Sequence, residues 1–145
     1  MASFVKINDF VANAVENMNL QSDQLIIALS NTAPSSESSN PTADGNGILG
    51  NVTQISYTYL SSRDLNRTSS SQSGGVYKLI LADLTLTASG GSVAPFRYVY
   101  IYNDTVTSPA DPLIGYYDYG SSLTLNDGDT FTIDFSPSNG VIQLT

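Results

Sequence analysis

Two aspartates are the first residues in this sequence that could carry chemistry. Asp118 lies in the stretch YYDYG, between tyrosines that could hold a sugar ring, and Asp104 precedes it in a polar segment. Glycosidases use two carboxyl groups at a set separation, one of them with a raised pKa. The sequence offers this pair without placing the two carboxyl groups together, and an aspartate at a solvated strand edge explains the same residues.

The residue types that most other catalytic and metal sites need are missing. The 145-residue chain contains no histidine and no cysteine, which excludes disulfides, thiol chemistry and the Ser-His-Asp arrangement. The stretch NDGDT, residues 126–130, has the acidic spacing of a calcium loop but lacks the glutamate that completes an EF-hand. A tight turn explains it equally well. We therefore predict no enzymatic activity, no metal and no cofactor.

Charge and hydropathy restrict the partners. The chain has thirteen acidic residues and five basic ones, which gives a net charge of −8. Nucleic acid is an unsuitable partner, because phosphate contacts need clustered lysine and arginine. No apolar stretch approaches the roughly 18 to 20 residues of a membrane helix. Only 12% of the residues are charged, so the surface must come largely from serine, threonine, asparagine and aspartate, a composition typical of β structure with many turns.

The stretch PFRYVYIYNDT, residues 95–105, carries apolar residues on both sides of a strand. Strict alternation places Phe96, Tyr98, Tyr100 and Tyr102 on one face and sets Arg97 on the other, with Val99 and Ile101. One apolar face is enough to build a core. The pattern therefore predicts that this strand is buried twice, once in a core and once against something else.

Tyrosine and arginine are enriched at protein interfaces, where tyrosine buries a large area and keeps a polar group. We predict a subunit contact formed by Phe96, Arg97, Tyr98, Tyr100, Tyr102, Tyr116, Tyr117, Arg63 and Arg67. Two alternatives remain open. The tyrosines could lie in the core beneath a loop or the N-terminal helix, or they could form a platform on which carbohydrate stacks.

Periodicity predicts a mainly β, single-domain sandwich or barrel-like fold over residues 1–145. One short helix over residues 8–19 belongs to an N-terminal segment, 1–22. Long polar loops are expected over 31–51 and 61–75. Strands are predicted at 23–30, 52–60, 76–88 (one strand, or two joined near Asp83), 96–103 and 112–120, followed by SLTL and TFTIDF around an Asp-Gly hairpin turn and by the closing NGVIQLT.

Three stretches carry a resemblance to a known family. They are FVKINDFVANAVENMNLQSDQLIIALSNTAP, SQSGGVYKLILADLTLTASGGSVAPFRYVYIYND and DPLIGYYDYGSSLTLNDGDTFTIDF. Together they resemble the capsid decoration, or cement, proteins encoded in the head-gene regions of tailed bacteriophages. The likeness covers most of the chain, fits least over residues 35–50, and contains no catalytic signature.

The resemblance implies a non-enzymatic virion protein that binds the outside of a phage capsid and stabilises it. The implied partners are the major capsid protein of the same phage and further copies of the chain in a homotrimer. The implied location is the outer surface of the virion, after synthesis in the bacterial cytoplasm. A tail tube or tail-associated protein and a carbohydrate-binding β-sandwich module are the alternative functions.

Overall fold

The computed structural model of this chain describes residues 3–34 and 47–145. Within these residues the architecture is mainly β with one short α-helix, which confirms the predicted fold class. The elements are β1 (Phe4–Lys6), α1 (Phe10–Glu16), β2 (Leu25–Ser30), β3 (Arg67–Ser73), β4 (Val76–Leu81), β5 (Leu84–Thr87), β6 (Val93–Asn103), β7 (Leu113–Leu125), β8 (Thr130–Ile133) and β9 (Ile142–Leu144).

The largest sheet in the described chain has four antiparallel strands in the order β1-β7-β6-β2. β6 lies inside this sheet, and residues 98–103 are buried without interruption. Strands that are covered on both faces have near-continuous apolar sequences. This burial explains why residues 95–105 are apolar on both sides.

An irregular segment covers the outer edge of β2. Backbone hydrogen bonds of 2.9–3.0 Å join residues 55–65 to Leu25, Ile27 and Leu29. The strand predicted over residues 52–60 is wrong, because this segment touches neighbouring strands only at isolated bridges. Tyr59 has a φ of 70°, a left-handed conformation that interrupts an extended strand.

Two smaller sheets complete the sandwich, one with the order β3-β4-β9 and one formed by β5 and β8. Aromatic contacts join the large sheet to β8 and the residues that follow it. The Phe96 and Phe131 rings meet edge to face at 5.3 Å, and the Tyr117 and Phe135 rings lie 6.4 Å apart. A single hydrophobic cluster includes residues from all three sheets.

The predicted loop over residues 61–75 is partly wrong, because Arg67–Ser73 form β3. The strand is rich in serine and shows little apolar alternation, so pairing with β4 rather than its own pattern makes it a strand. Gly74 and Gly75, with φ values of 59° and 82°, form the tight turn between β3 and β4. Positive φ at both central residues is typical of a two-residue hairpin.

The region 76–88 contains two strands, β4 and β5, as one of the two sequence interpretations predicted.

The turn at residues 126–129 connects two sheets instead of closing a hairpin. β7 pairs with β6 and β1, whereas β8 pairs with β5. The predicted pairing of SLTL with TFTIDF is therefore wrong, although the turn itself and the alternation of β8 are present. Phe131, Ile133 and Phe135 are half-buried or buried, and the residues between them are exposed.

The helix α1 is shorter than predicted, ending at Glu16 instead of residue 19. Phe10 is buried, and Ala14 and Met18 pack against the core, as the apolar stripe predicts. Val11 and Val15 are exposed, so the stripe is narrower than the sequence indicates. In the parts of the chain that the structure describes, no helix has the length and apolar character needed to cross a membrane.

The predicted loop over residues 31–51 falls largely outside the described residues. Of the described part, Leu49–Asn51 form a 3-10 turn, and Ile48 makes an isolated bridge to Pro112. Gly47 also contacts the body of the protein, since its N–H donates to Asp9 Oδ2 at 3.3 Å. The described end of this segment is thus attached to the residues that precede β7 and α1.

Candidate functional site

Most of the predicted tyrosine contact lies inside the protein. Phe96 and Tyr100 are fully buried, and Tyr98 and Tyr102 are at most 6% exposed. The register with β2 is unbroken across Tyr98, Tyr100 and Tyr102, so these tyrosines share one face of the sheet. The interpretation of the four side chains as a surface contact is wrong, because the chain itself already excludes solvent from them.

A bulge in the β6–β7 ladder changes the predicted alternation. The register shifts between Phe96 and Tyr98. A bulge can turn the next side chain to the other face of a strand. Accordingly, the Phe96 ring contacts Phe131 in the sandwich interior, while Arg97 reaches Asp118 beside Tyr98. The prediction that Phe96 shares a face with the tyrosines and that Arg97 lies opposite is therefore wrong.

Arg97 and Asp118 form a bidentate ion pair at the surface. Arg97 Nε donates to Asp118 Oδ1 at 2.8 Å, and Nη2 donates to Oδ2 at 3.1 Å. The two side chains are 38% and 40% exposed. The Arg97 hydrogen bond, supported by the Gly120 N–H at 2.8 Å, holds the pKa of Asp118 below its ordinary value, although partial burial acts in the opposite direction. A general acid needs the reverse shift.

Arg97→Gln is expected to raise the pKa of Asp118 towards its ordinary value near 3.8. Because the pKa in the folded state is lowered, the pair stabilises the fold above that value, and this contribution is lost as the pH falls through the lowered pKa. The carboxyl-carbon NMR shift of Asp118, followed against pH, measures the change. Lys78→Gln is the control: it removes the same charge from another sheet and should leave the pKa of Asp118 unchanged. If the titration curve of Asp118 is also unchanged in Arg97→Gln, the hydrogen bond from Arg97 is not what lowers this pKa.

Arg63 and Arg67 act within the chain. The Arg63 guanidinium lies 3.7 Å from the centre of the Tyr57 ring and donates to the Ile27 carbonyl at 2.6 Å. Arg67 donates to the carbonyl of Asp23. Both side chains are half-buried, and they attach residues 57–67 to β2 and to Asp23, two residues before β2 begins. Only the exposed part of each arginine side chain is therefore left for the predicted partner contact.

The acidic candidates of the sequence have separate structural roles. Burial raises the pKa of Asp111, and the charge of the Asp104 carboxylate adds to this shift. In the NDGDT turn, Asp127 Oδ1 accepts the Gly90 N–H and Asp129 Oδ2 accepts the Asn126 N–H, each at 3.0 Å. These carboxylates stabilise a turn. Across residues 3–34 and 47–145, no group of three potential metal ligands comes together.

An apolar groove lies between β7 and β8, and we call it the β7–β8 groove. Val99, Tyr117 and Tyr119 line one side, and residues 131–134 line the other, around a volume of about 240 Å³. Tyr119 is 48% exposed, and its ring meets the Phe131 ring at 5.5 Å. Burial raises the pKa of Tyr117 to about 12. Of the predicted contact residues, Tyr117 therefore lines an accessible apolar surface.

Sequence reasoning missed the β7–β8 groove for a definite reason. A hairpin pairing of SLTL with TFTIDF would place β8 directly against β7. The structure separates these strands into two sheets, which leaves the groove between them. An Asp-Gly turn between alternating stretches occurs in both arrangements, so the local pattern does not distinguish them.

Comparisons with protein-family models, with curated proteins and with solved structures found no match to this chain.

Proposed function

We propose that this chain is a non-enzymatic structural protein of a tailed bacteriophage, which binds the outer surface of the capsid and stabilises it. The observation that carries the proposal is the β7–β8 groove, an apolar surface flanked by the exposed ring of Tyr119. Exposed apolar surface with tyrosine is typical of protein contacts. The sequence resemblance to capsid decoration proteins names the partner.

The remaining surface suits a protein that is repeated over a large shell. The net charge of −8 keeps it away from packaged DNA and opposes nonspecific association. Many identical copies on one shell stabilise it collectively, because each contact needs only modest affinity when the copies act together. A homotrimer, as the resemblance implies, would bring three β7–β8 grooves to one place on the shell.

The test uses capsids from a phage that lacks this gene. Purified protein is added in increasing amounts, and the bound fraction is measured by co-sedimentation. Saturation at a fixed ratio to the major capsid protein, together with a higher temperature of DNA release, is the expected result. Absence of co-sedimentation contradicts the proposal, and binding to tail tubes or to a glycan array assigns the chain to one of the alternative functions.

Light scattering on the purified protein tests the oligomer separately. A mass near three times 15.4 kDa is expected. Stacked rings or open polymers would favour the tail-associated alternative instead.

A further inference from the structure

The edge of β8, and not only its side chains, faces the β7–β8 groove. Residues 131–134 line the groove consecutively, although successive side chains of a strand point to opposite faces. Only the edge of a strand presents consecutive residues to one space. The backbone of β8 is therefore part of the groove wall.

Hydrogen bonds fix which backbone groups point into that space. The N–H of Thr87 donates to Ser61 Oγ at 2.9 Å, and its carbonyl accepts the Ser61 N–H at 3.0 Å, so both groups point away from β8. Backbone groups of an antiparallel pair alternate in direction. Leu86 and Phe131 therefore bond each other, and the N–H and carbonyl of Thr132 point away from β5. Among the described residues, no backbone hydrogen bond reaches these two groups of Thr132.

An unpaired strand edge beside an apolar groove fits an extended peptide better than a small molecule. The volume of about 240 Å³ is below the roughly 300 Å³ at which small-molecule pockets begin. It can accept one or two apolar side chains. A peptide added to a strand edge gains main-chain hydrogen bonds and places alternate side chains in such pockets.

Charge selects the kind of peptide. Asp134 is exposed at the groove, and the ion pair found among the described residues joins Arg97 to Asp118 and leaves the Asp134 carboxylate without one. A second copy of this chain would bring its own net charge of −8, so like charges oppose self-pairing at this edge. A partner with lysine or arginine next to its apolar residues matches the carboxylate.

We infer that the β7–β8 groove binds an extended segment of a partner protein, which pairs with the Thr132 edge of β8, inserts apolar side chains into the groove and places a basic residue at Asp134. The identification of that partner as a capsid protein rests on the proposed function. The binding chemistry does not, because it follows from the edge, the groove and the carboxylate.

Two pairs of variants separate the contribution of the Thr132 N–H to peptide binding from that of the Asp134 carboxylate. Thr132→Pro removes the outward N–H while leaving the β5 pairing, since proline is tolerated where the N–H of an edge strand faces solvent. Thr132→Val keeps that N–H but removes the hydroxyl contact to Thr85 Oγ1, which is 3.0 Å long. Asp134→Asn and Asp64→Asn change the net charge equally, and Asp64 lies away from the groove, opposite Ile26.

The probe is a capped peptide of alternating valine and lysine, about six residues long to match a typical strand. A peptide of alternating valine and glutamate is the control. The lysine peptide is expected to bind and to slow hydrogen exchange at the Thr132 amide. Thr132→Pro should weaken its binding at least about tenfold, and Asp134→Asn roughly two- to fivefold. Thr132→Val and Asp64→Asn should bind as the parent protein does.

Equal binding of both peptides, or an exchange rate at Thr132 that the lysine peptide leaves unchanged, overturns the inference. Dimers that Thr132→Pro dissociates also overturn it, because the edge then belongs to a second copy. If circular dichroism shows that Thr132→Pro does not fold, the test is the hydrogen-exchange rate of the Thr132 amide in the parent protein, with and without the lysine peptide. If a folded Thr132→Pro variant still binds capsids, the inferred pairing at the edge of β8 is refuted but the proposed function is not. If the parent protein binds the lysine peptide but not capsids, the proposed function is refuted but the inferred groove binding is not.

Discussion

Tyr100→Ser is expected to lower the free energy of unfolding by about 3 to 5 kcal/mol, the range for truncating a buried aromatic side chain. Tyr100 is 0% exposed, and its ring lies 5.6 Å from the ring of Tyr116 across the β6–β7 pair. Serine leaves a cavity and places a hydroxyl in it. Because domains of this size have only about 5 to 15 kcal/mol of stability, this loss removes a large part of it and should lower the yield of folded protein on expression. Urea unfolding followed by circular dichroism measures the loss.

Tyr119→Ser is the matched control, since it truncates the same residue type on the same sheet. Tyr119 is 48% exposed and makes an edge contact with Phe131, so the expected cost is only about 1 kcal/mol. A Tyr100→Ser variant that is as stable as the parent protein but fails to assemble would contradict the burial of Tyr100. Its tyrosine face would then be an intermolecular contact.

The sequence predicts the fold class because burial and alternation are local properties of strands. β2, β6, β7 and β8 all lie in stretches whose apolar content indicates a strand, and α1 follows from the spacing of Phe10 and Ala14. β3 shows the limit of this approach. Its serines carry no hydrophobic period, and only the partner strand β4 provides the pairing that makes the segment extended.

The site is less predictable because it depends on which strands are neighbours. Tyr117 was predicted from composition as a contact residue, and the structure places it in the β7–β8 groove. Phe131 lines the same groove, but its alternation predicts only a core face. The bulge between Phe96 and Tyr98 adds a second difficulty. A bulge can turn the side chains on one side of it to the opposite face, and the residues themselves carry no mark of it.

The two apolar faces of β6 are therefore explained within one chain. One face contains Tyr98, Tyr100 and Tyr102, and the other packs through Val99 towards β8. Double burial of a strand does not by itself indicate a partner. The indication of a partner comes from the neighbouring edge of β8, where an apolar surface and unpaired backbone groups are both accessible.

Gly115→Ala is expected to detach β1 from β7 and to lower the free energy of unfolding by about 1 to 3 kcal/mol, as overpacking does in a well-packed core. A Cβ atom at Gly115 would overlap the Phe4 ring and lie 2.6 Å from the carbonyl oxygen of Val5. A ring can rotate, but the backbone carbonyl moves only if β1 moves. The Ile7 N–H, which donates to the Ile114 carbonyl at 3.0 Å, should lose protection from hydrogen exchange.

Gly50→Ala is the control for the same substitution in open space. Its Cβ would meet only Ile48 Cδ1, at 3.7 Å, an ordinary van der Waals distance. Its stability should therefore be unchanged or raised by about 0.4 to 1 kcal/mol, because alanine restricts the unfolded chain. If Gly115→Ala behaves like Gly50→Ala and the Ile7 amide stays protected, β1 does not pair with β7 in this register. The Phe4 ring, which meets the Tyr117 ring at 5.4 Å, would then leave it, and the face of β7 that carries Tyr117 would be open to solvent or to a partner.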